Sequence, residues 1–379
     1  MTPEVAVIGG GVMGLATAYS LLKRGVRGVV VLERDRVGND RAASTDSSKA
    51  IRYEYAEDEL YSHMVGRSLE LWGDLERVSG RELYVKCGVV CWGRGEDSFA
   101  KRSYETLRRM GIPIQQFSPE ELCSRFPQFG LADMTYATYN PEGGFLRASE
   151  CVAALAHEVR RLGGEIREGS TVTNVRPEGS GHTLLLAGGG EFKAPRVVLA
   201  AGAWGAKLLP RLGLKVPMTA HKQQVVYMSG LGAEFQPGHF PVFLNLDHEF
   251  YGFPLDAAGL QKSSIHLPGP IIDPDLDLPT DPEFTETVLS LLEQYIPPAA
   301  KGKVALARTC MYAMTPDEDF IIDHVPGLAN AVVAAGFSGH GFKFGPLIGE
   351  FLASLVLAEP PEFPLDKFAI IRFTGRNEH

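Results

Sequence analysis

The stretch Val5-Ala6-Val7-Ile8-Gly9-Gly10-Gly11-Val12-Met13-Gly14 runs from β-favouring apolar residues straight into a glycine cluster. Leu15, Ala18 and Leu22 follow at helical spacing, and Gly25 stands where such a helix would stop. A second apolar run, Val29-Val30-Val31-Leu32, ends in Glu33, about 20 residues after the glycines. Strand, G-x-G-x-x-G, helix, strand and acid together predict a dinucleotide-binding unit. Gly9 permits the tight turn, and Gly11 lets the backbone approach a pyrophosphate at the helix N-terminus. Gly14 lets the helix lie close to the strand, with Val12 and Met13 completing the loop. Glu33 would accept from ribose hydroxyls. FAD and NAD share the ADP half that this motif recognises, so the motif alone does not choose between them.

Beyond Glu33 lies a polar segment, Arg34 to Tyr55, without a clear period. Long irregular segments in compact domains are often functional, and on the resemblance set out below Arg34, Ser44, Ser48 and Lys49 are expected to touch the cofactor. A helix should follow with Val65, Leu69, Trp72 and Leu75 on one face, and another near Phe99 to Met110. The run VKCGVVCWG, Val85 to Gly93, reads as one strand. Ser149 reads as the N-cap of a helix whose buried stripe is Val152, Leu155, Val159 and Leu162. Strand signals return at Thr171–Val175 and Val197–Ala201, the latter closing on Gly202-Ala203-Trp204. From Val216 to His266 the chain is rich in β-branched and aromatic residues broken by Gly and Pro, which predicts an antiparallel sheet. Asp281 and Pro282 open a further helix.

These signals predict an α/β fold: a Rossmann-like dinucleotide-binding domain, FAD-binding on the resemblance given below, with a second, discontinuous substrate domain built on a mixed or antiparallel sheet. The expected division gives 1–82, 142–215 and 305–379 to the first and 83–141 and 216–304 to the second. At 379 residues the chain exceeds one typical core.

The net charge of −9, with no basic run, gives no footprint for nucleic acid or anionic lipid. No apolar segment approaches the ~20 residues needed to cross a bilayer, and the N-terminus carries no signal-peptide pattern. Five cysteines lack a framework of spacings. A cytoplasmic location with free thiols is therefore expected. The histidines show no metal-binding spacing, and Gly-x-Ser-x-Gly is absent.

Cys310-Met311-Tyr312, TPDEDFIID from Thr315 to Asp323, and AAGFSGHGFKFG from Ala334 to Gly345 identify a family. AIRYEY near Arg52, YGFP from Tyr251 to Pro254, and Gly202-Ala203-Trp204 join them. Together they strongly resemble the monomeric sarcosine oxidase group of the FAD-dependent amine and D-amino-acid oxidases. The resemblance implies FAD attached through the Cys310 thiol, with Met311 beside it. It implies that Arg52 and Lys343 clamp the substrate carboxylate and that Lys262 promotes reaction with oxygen. Tyr251, His266, Tyr312 and His340 resemble pocket residues, Lys49, Arg52, Lys262 and His266 forming the expected catalytic group. For His340 a loop role without chemistry stays open.

Val172, Gly202, Trp204, Gly339, His340, Gly341, Phe342 and Lys343 are the remaining expected cofactor contacts. The glycines from Gly336 to Gly345 would let backbone run against a flat ring. One departure stands out: the family pattern has arginine where this chain has Lys49, which keeps the charge and loses the planar fork. The implied reaction takes sarcosine, O2 and water to glycine, formaldehyde and hydrogen peroxide, by hydride transfer to flavin N5, in a monomer. A fructosyl-amino-acid oxidase, or a flavin amine dehydrogenase with a non-oxygen acceptor, are the alternatives.

Overall fold

A computed structural model describes residues 3–95 and 97–373; residues 1, 2, 96 and 374–379 of the expected domain ranges lie outside it. Val5–Ile8 is a strand flanked in parallel by Arg196–Leu199 and Val29–Leu32. Ala331–Ala335 and Glu165–Arg167 extend this sheet in parallel, and Ile321–His324 closes one edge antiparallel. Alternation along the first strand sends Val5 and Val7 to one core and Ala6 and Ile8 to another. A parallel sheet covered on both faces requires such an unbroken apolar run. Helices Val12–Lys23, Glu59–Ser79, Ala148–Arg161 and Gly345–Leu357 cover one face. A small antiparallel sheet of Val172–Glu178, Gly181–Leu186 and Glu191–Ala194 covers the other. Each fully buried Leu or Val on these faces contributes about 1.5–3 kcal/mol.

The turn that follows Ile8 depends on its glycines. Gly9 sits at φ +111°, a region side chains rarely adopt. A Cβ on Gly14 would stand well inside contact of the Gly9 carbonyl oxygen and 3.2 Å from Val7 Cγ1. Helix and strand therefore approach as closely as backbone permits.

The second sheet has eight strands, in the order Lys303–Met314, Thr219–Ser229, Gln261–Ile265, Phe250–Leu255, Val242–Asn245, Val89–Gly93, Tyr136–Asn140, Gln115–Phe117. Its pairs are antiparallel except Val242–Asn245 with Val89–Gly93, which makes the sheet mixed. Helix Pro282–Tyr295 packs on it through Val288, Leu292 and Tyr295, opened by the Asp281 side chain accepting from the Glu283 amide. A short sheet of Lys49–Ile51, Gly144–Leu146 and Tyr84–Lys86 fixes the segment that carries Lys49 and Arg52.

Two local expectations change. The run Val85–Gly93 is two strands, Tyr84–Lys86 and Val89–Gly93, broken at Gly88, where φ is +77° and the Tyr139 ring leaves no room for a Cβ. Ser149 is not an N-cap. The helix starts at Ala148 without a side-chain cap, and the Ser149 hydroxyl and amide instead donate to the Asp46 carbonyl at 2.8 and 3.1 Å. Among the described residues the five cysteines are free, no cluster could hold a metal ion, and no helix is long and apolar enough to cross a membrane.

Candidate active site

The C-terminal ends of the parallel strands open on a cleft of about 580 Å³, the place where open α/β sheets bind ligands. Gly9, Gly11, Val12 and Met13 line it from the first loop, Glu33, Arg34 and Ser44 from beyond the second strand. Val172, Gly202 and Trp204 line its other side. Glu33 accepts from the Gly10 amide at 2.6 Å and the Asp35 amide at 2.9 Å. Burial raises its carboxyl above the ordinary value against the pull of those amides. Ser44 Oγ accepts from the Val12 amide at 3.0 Å. Asp275 also reaches this cleft, accepting from Trp204 Nε1 at 2.9 Å and Arg34 Nη1 at 2.8 Å. No sequence signal singled it out.

Strand Lys303–Met314 delivers Cys310, Met311 and Tyr312 to the same cleft, where Lys49, Gly339, Gly341 and Phe342 also face it. A smaller cavity of about 70 Å³ shares Lys49, Tyr312, Gly339 and Phe342 with it. Arg52, Tyr251, Lys262, His266, His340 and Lys343 line that cavity alone. Of the residues expected at the cofactor, Gly14 and Ser48 line neither space; Ser48 instead accepts from Lys262 Nζ through its carbonyl. A Cβ on Gly339, at φ +77°, would overlap the Tyr312 ring and lie 2.8 Å from His266 Cε1. One on Gly341 would overlap the Phe337 side chain. These glycines make room first for the protein's own rings.

Charge is concentrated in the smaller cavity. Arg52 is 8% exposed, its guanidinium lies 4.6 Å from the Tyr55 ring centroid, and its Nη1 has no partner among the described residues. Lys343 donates to Tyr55 Oη at 2.7 Å and to the His340 carbonyl at 2.9 Å. His340 Nε2 lies 3.1 Å from the Glu318 carbonyl, so it donates there and Nδ1 accepts from the Tyr55 hydroxyl at 3.2 Å. Burial and the Arg52 charge hold the Lys343 ammonium well below an ordinary lysine. Burial, with Arg52 and Lys343, brings His266 down to about 4, leaving it neutral at pH 7. A site with a buried guanidinium, a buried lysine, one donor unfilled and a neutral imidazole suits an anion that carries an amine.

Two buried acids went unread in the sequence. Glu54 is fully buried with neither oxygen hydrogen-bonded among the described residues, and burial raises its carboxyl against the opposing Arg52 charge. Asp46 accepts from Lys262 Nζ at 2.9 Å and Lys49 Nζ at 3.1 Å, and from the Tyr227 hydroxyl. Burial alone would raise Asp46, but the two ammonium groups hold it well below the carboxylate range. Lys262 sits on an interior strand of the sheet, and burial brings it to about 8 with Asp46 offsetting part of the shift. It is no edge-strand lysine.

A family model described as FAD dependent oxidoreductase matches residues 4–355. The peroxisomal sarcosine oxidase of Homo sapiens is 34% identical, over 98% of this chain and 96% of its own length. The monomeric sarcosine oxidase of Bacillus sp. (strain B-0618) is 30% identical, over 97% and 96%. Among solved structures, the L-proline dehydrogenase from P. horikoshii superposes with a TM-score of 0.87 at 26% identity, covering 98% of both chains.

Proposed function

The chain belongs to the FAD-dependent oxidoreductase family, and from that premise we propose that it oxidises small N-methylated amino acids. Sarcosine, O2 and water would give glycine, formaldehyde and hydrogen peroxide. The observation that carries this reading is the convergence of Arg52 and Lys343 on a cavity of about 70 Å³ that opens onto the larger cleft. The cleft fits FAD: the Gly9–Gly14 turn admits close backbone approach, and Glu33 and Cys310 line the space. FAD bound there supplies the hydride acceptor.

The protein's own residues bind and orient. Arg52 holds a carboxylate through its free Nη1, and Lys343 adds a second donor. Tyr251 and Tyr312 wall the methylamino end, and neutral His266 takes a hydrogen bond there without adding charge. Phe342 and Gly339 form the threshold between the two spaces. The small volume favours N-methyl over a fructosyl substituent. In this reading 1–82, 142–215 and the part of 305–379 beyond Met314 form the FAD domain, and 83–141 and 216–304 form the substrate domain; the expected boundary at 305 moves, because strand Lys303–Met314 pairs with Thr219–Ser229 in the second sheet. The protein is proposed to work as a cytoplasmic monomer.

The test is a substrate panel in air, followed by oxygen uptake and peroxide release. Sarcosine is expected to exceed fructosyl-glycine, and silence with sarcosine, N-methylalanine and proline would reject the proposal. A dehydrogenase is the second reading, favoured by similarity to the L-proline dehydrogenase. Dye reduction without oxygen uptake would establish it.

Cys310 is proposed to tether the flavin. Its thiol lines the cleft, where burial pushes it up and the Lys49 charge pulls it back. Acid-denatured holoenzyme is expected to keep its yellow colour in the protein pellet, and Cys310→Ser to release it. Colour that washes out of the unsubstituted protein would remove the tether.

A further inference from the structure

Asp46 is 5% exposed and binds Lys49, which lines both cavities, and Lys262, which lines the smaller one. Its Oδ2 holds Lys262 Nζ at 2.9 Å and Lys49 Nζ at 3.1 Å. Its Oδ1 accepts from the Tyr227 hydroxyl and from the Ser47 amide at 2.8 Å. Ser149 pins its carbonyl through both amide and hydroxyl. A carboxylate held at every acceptor cannot swing away, so neither can its two lysines. We propose that Asp46 is a positioning residue for this reaction, its one carboxylate fixing the Lys262 and Lys49 ammonium groups at the flavin-facing wall and keeping both charged. The inference rests on the proposed oxidase reading, in which Lys262 promotes the reaction of the flavin with oxygen.

Charge arithmetic shows what Asp46 does. Two ammonium groups and one carboxylate leave a single net positive charge at pH below the Lys262 transition. Without the carboxylate, two like charges share a dry site and one proton leaves. Lys262 is the group that gives it up. Its side chain is 3% exposed against 21% for Lys49. Burial has already brought it to about 8, even with the Phe253 ring face 4.3 Å away favouring the charged form. The other titratable or charged groups acting here are Tyr227 and Tyr251 from neighbouring strands, and Arg308, Cys310 and Tyr312 from Lys303–Met314. Arg308 adds positive charge, which also opposes a second ammonium.

The experiment is a pH titration of the flavin absorption spectrum of the holoenzyme, with Lys262→Met, Asp46→Asn and Tyr227→Phe alongside. The unsubstituted protein is expected to show a transition near about 8 that Lys262→Met abolishes. Asp46→Asn should move it down by ~1 unit or more, about a tenfold loss of proton affinity. Tyr227→Phe, which only loosens the carboxylate, should move it the same way by less. In Asp46→Asn and Tyr227→Phe, KM for sarcosine at pH below the transition should stay within about twofold, because Arg52 and Lys343 are untouched. A spectral transition that vanishes in Lys262→Met yet stays fixed in Asp46→Asn overturns the proposal for Asp46. No Lys262-dependent transition in any variant overturns instead the placement of Lys262 beside the flavin. If Asp46→Asn fails to fold, Tyr227→Phe decides: an unmoved transition there also overturns the proposal.

Discussion

Arg52→Met is expected to lower kcat/KM for sarcosine by ~10²–10³-fold, with flavin content and thermal stability near those of the unsubstituted protein. The size follows from where the guanidinium sits. Removing one partner of a buried, hydrogen-bonded charge pair costs about 2–5 kcal/mol, and each 1.4 kcal/mol is about tenfold. Arg52 is 8% exposed with Nη1 unfilled, so a substrate carboxylate would meet a donor already stripped of water. KM should rise most. Some loss in kcat is also expected, because the carboxylate anchor aims the methyl hydrogens at their acceptor. Arg52→Lys should fall between, keeping charge while losing the fork.

Lys343 gives the same site a pH signature. Its ammonium titrates below an ordinary lysine because of burial and Arg52. KM should therefore climb as pH rises through that lowered value, and Lys343→Arg should flatten the climb. Steady-state peroxide formation measures all of this. An Arg52→Met variant within a few-fold of the unsubstituted kcat/KM would mean the carboxylate is held elsewhere.

The nucleotide-binding half of this fold was legible because its demands are local. A tight turn, a close helix and a doubly covered strand each leave their mark within a few residues of Gly9, and Val5–Ile8 alternates between two cores as its composition requires. Asp46 and Glu54 were illegible for the opposite reason. Each is one acid in an aperiodic segment, and its meaning comes from residues far along the chain: Lys262 is 216 positions from Asp46. Ser149 shows the same limit from the other side. Its sequence context suits a cap, but tertiary structure offered its hydroxyl the Asp46 carbonyl instead. Lys49 was read as a weaker arginine, when its defining feature is the carboxylate it shares with Lys262. The strand break at Gly88 was hidden because only the Tyr139 ring, from another strand, forbids a side chain there.

Gly14→Ala should abolish FAD retention and lower the melting temperature by ~5 °C or more, although it adds only a methyl group. Overpacking usually costs about 1–3 kcal/mol because neighbours can shift, but here the shift is blocked on both sides. On one side the new Cβ meets the Gly9 carbonyl, in the turn that shapes the cleft. On the other, helix Val12–Lys23 already touches helix Gly345–Leu357 at Gly349, where a Cβ would lie 2.8 Å from the Ala16 Cβ and press on its backbone. Moving the first helix off the strand drives it into the second. The strain must then be relieved by opening the Gly9 turn, which displaces the Val12 amide and Ser44 from each other and spoils the cleft wall. Gly11→Ala is the informative contrast, since its Cβ would meet only Ser44 Oγ, at 3.1 Å. That variant should fold with near-normal stability and bind FAD more weakly, because its methyl points at cofactor space and not at backbone. Flavin content after gel filtration and thermal unfolding separate the two. Full flavin and unchanged melting in Gly14→Ala would show that helix and strand can part at this point, and that the closeness of the turn does not hold the cofactor.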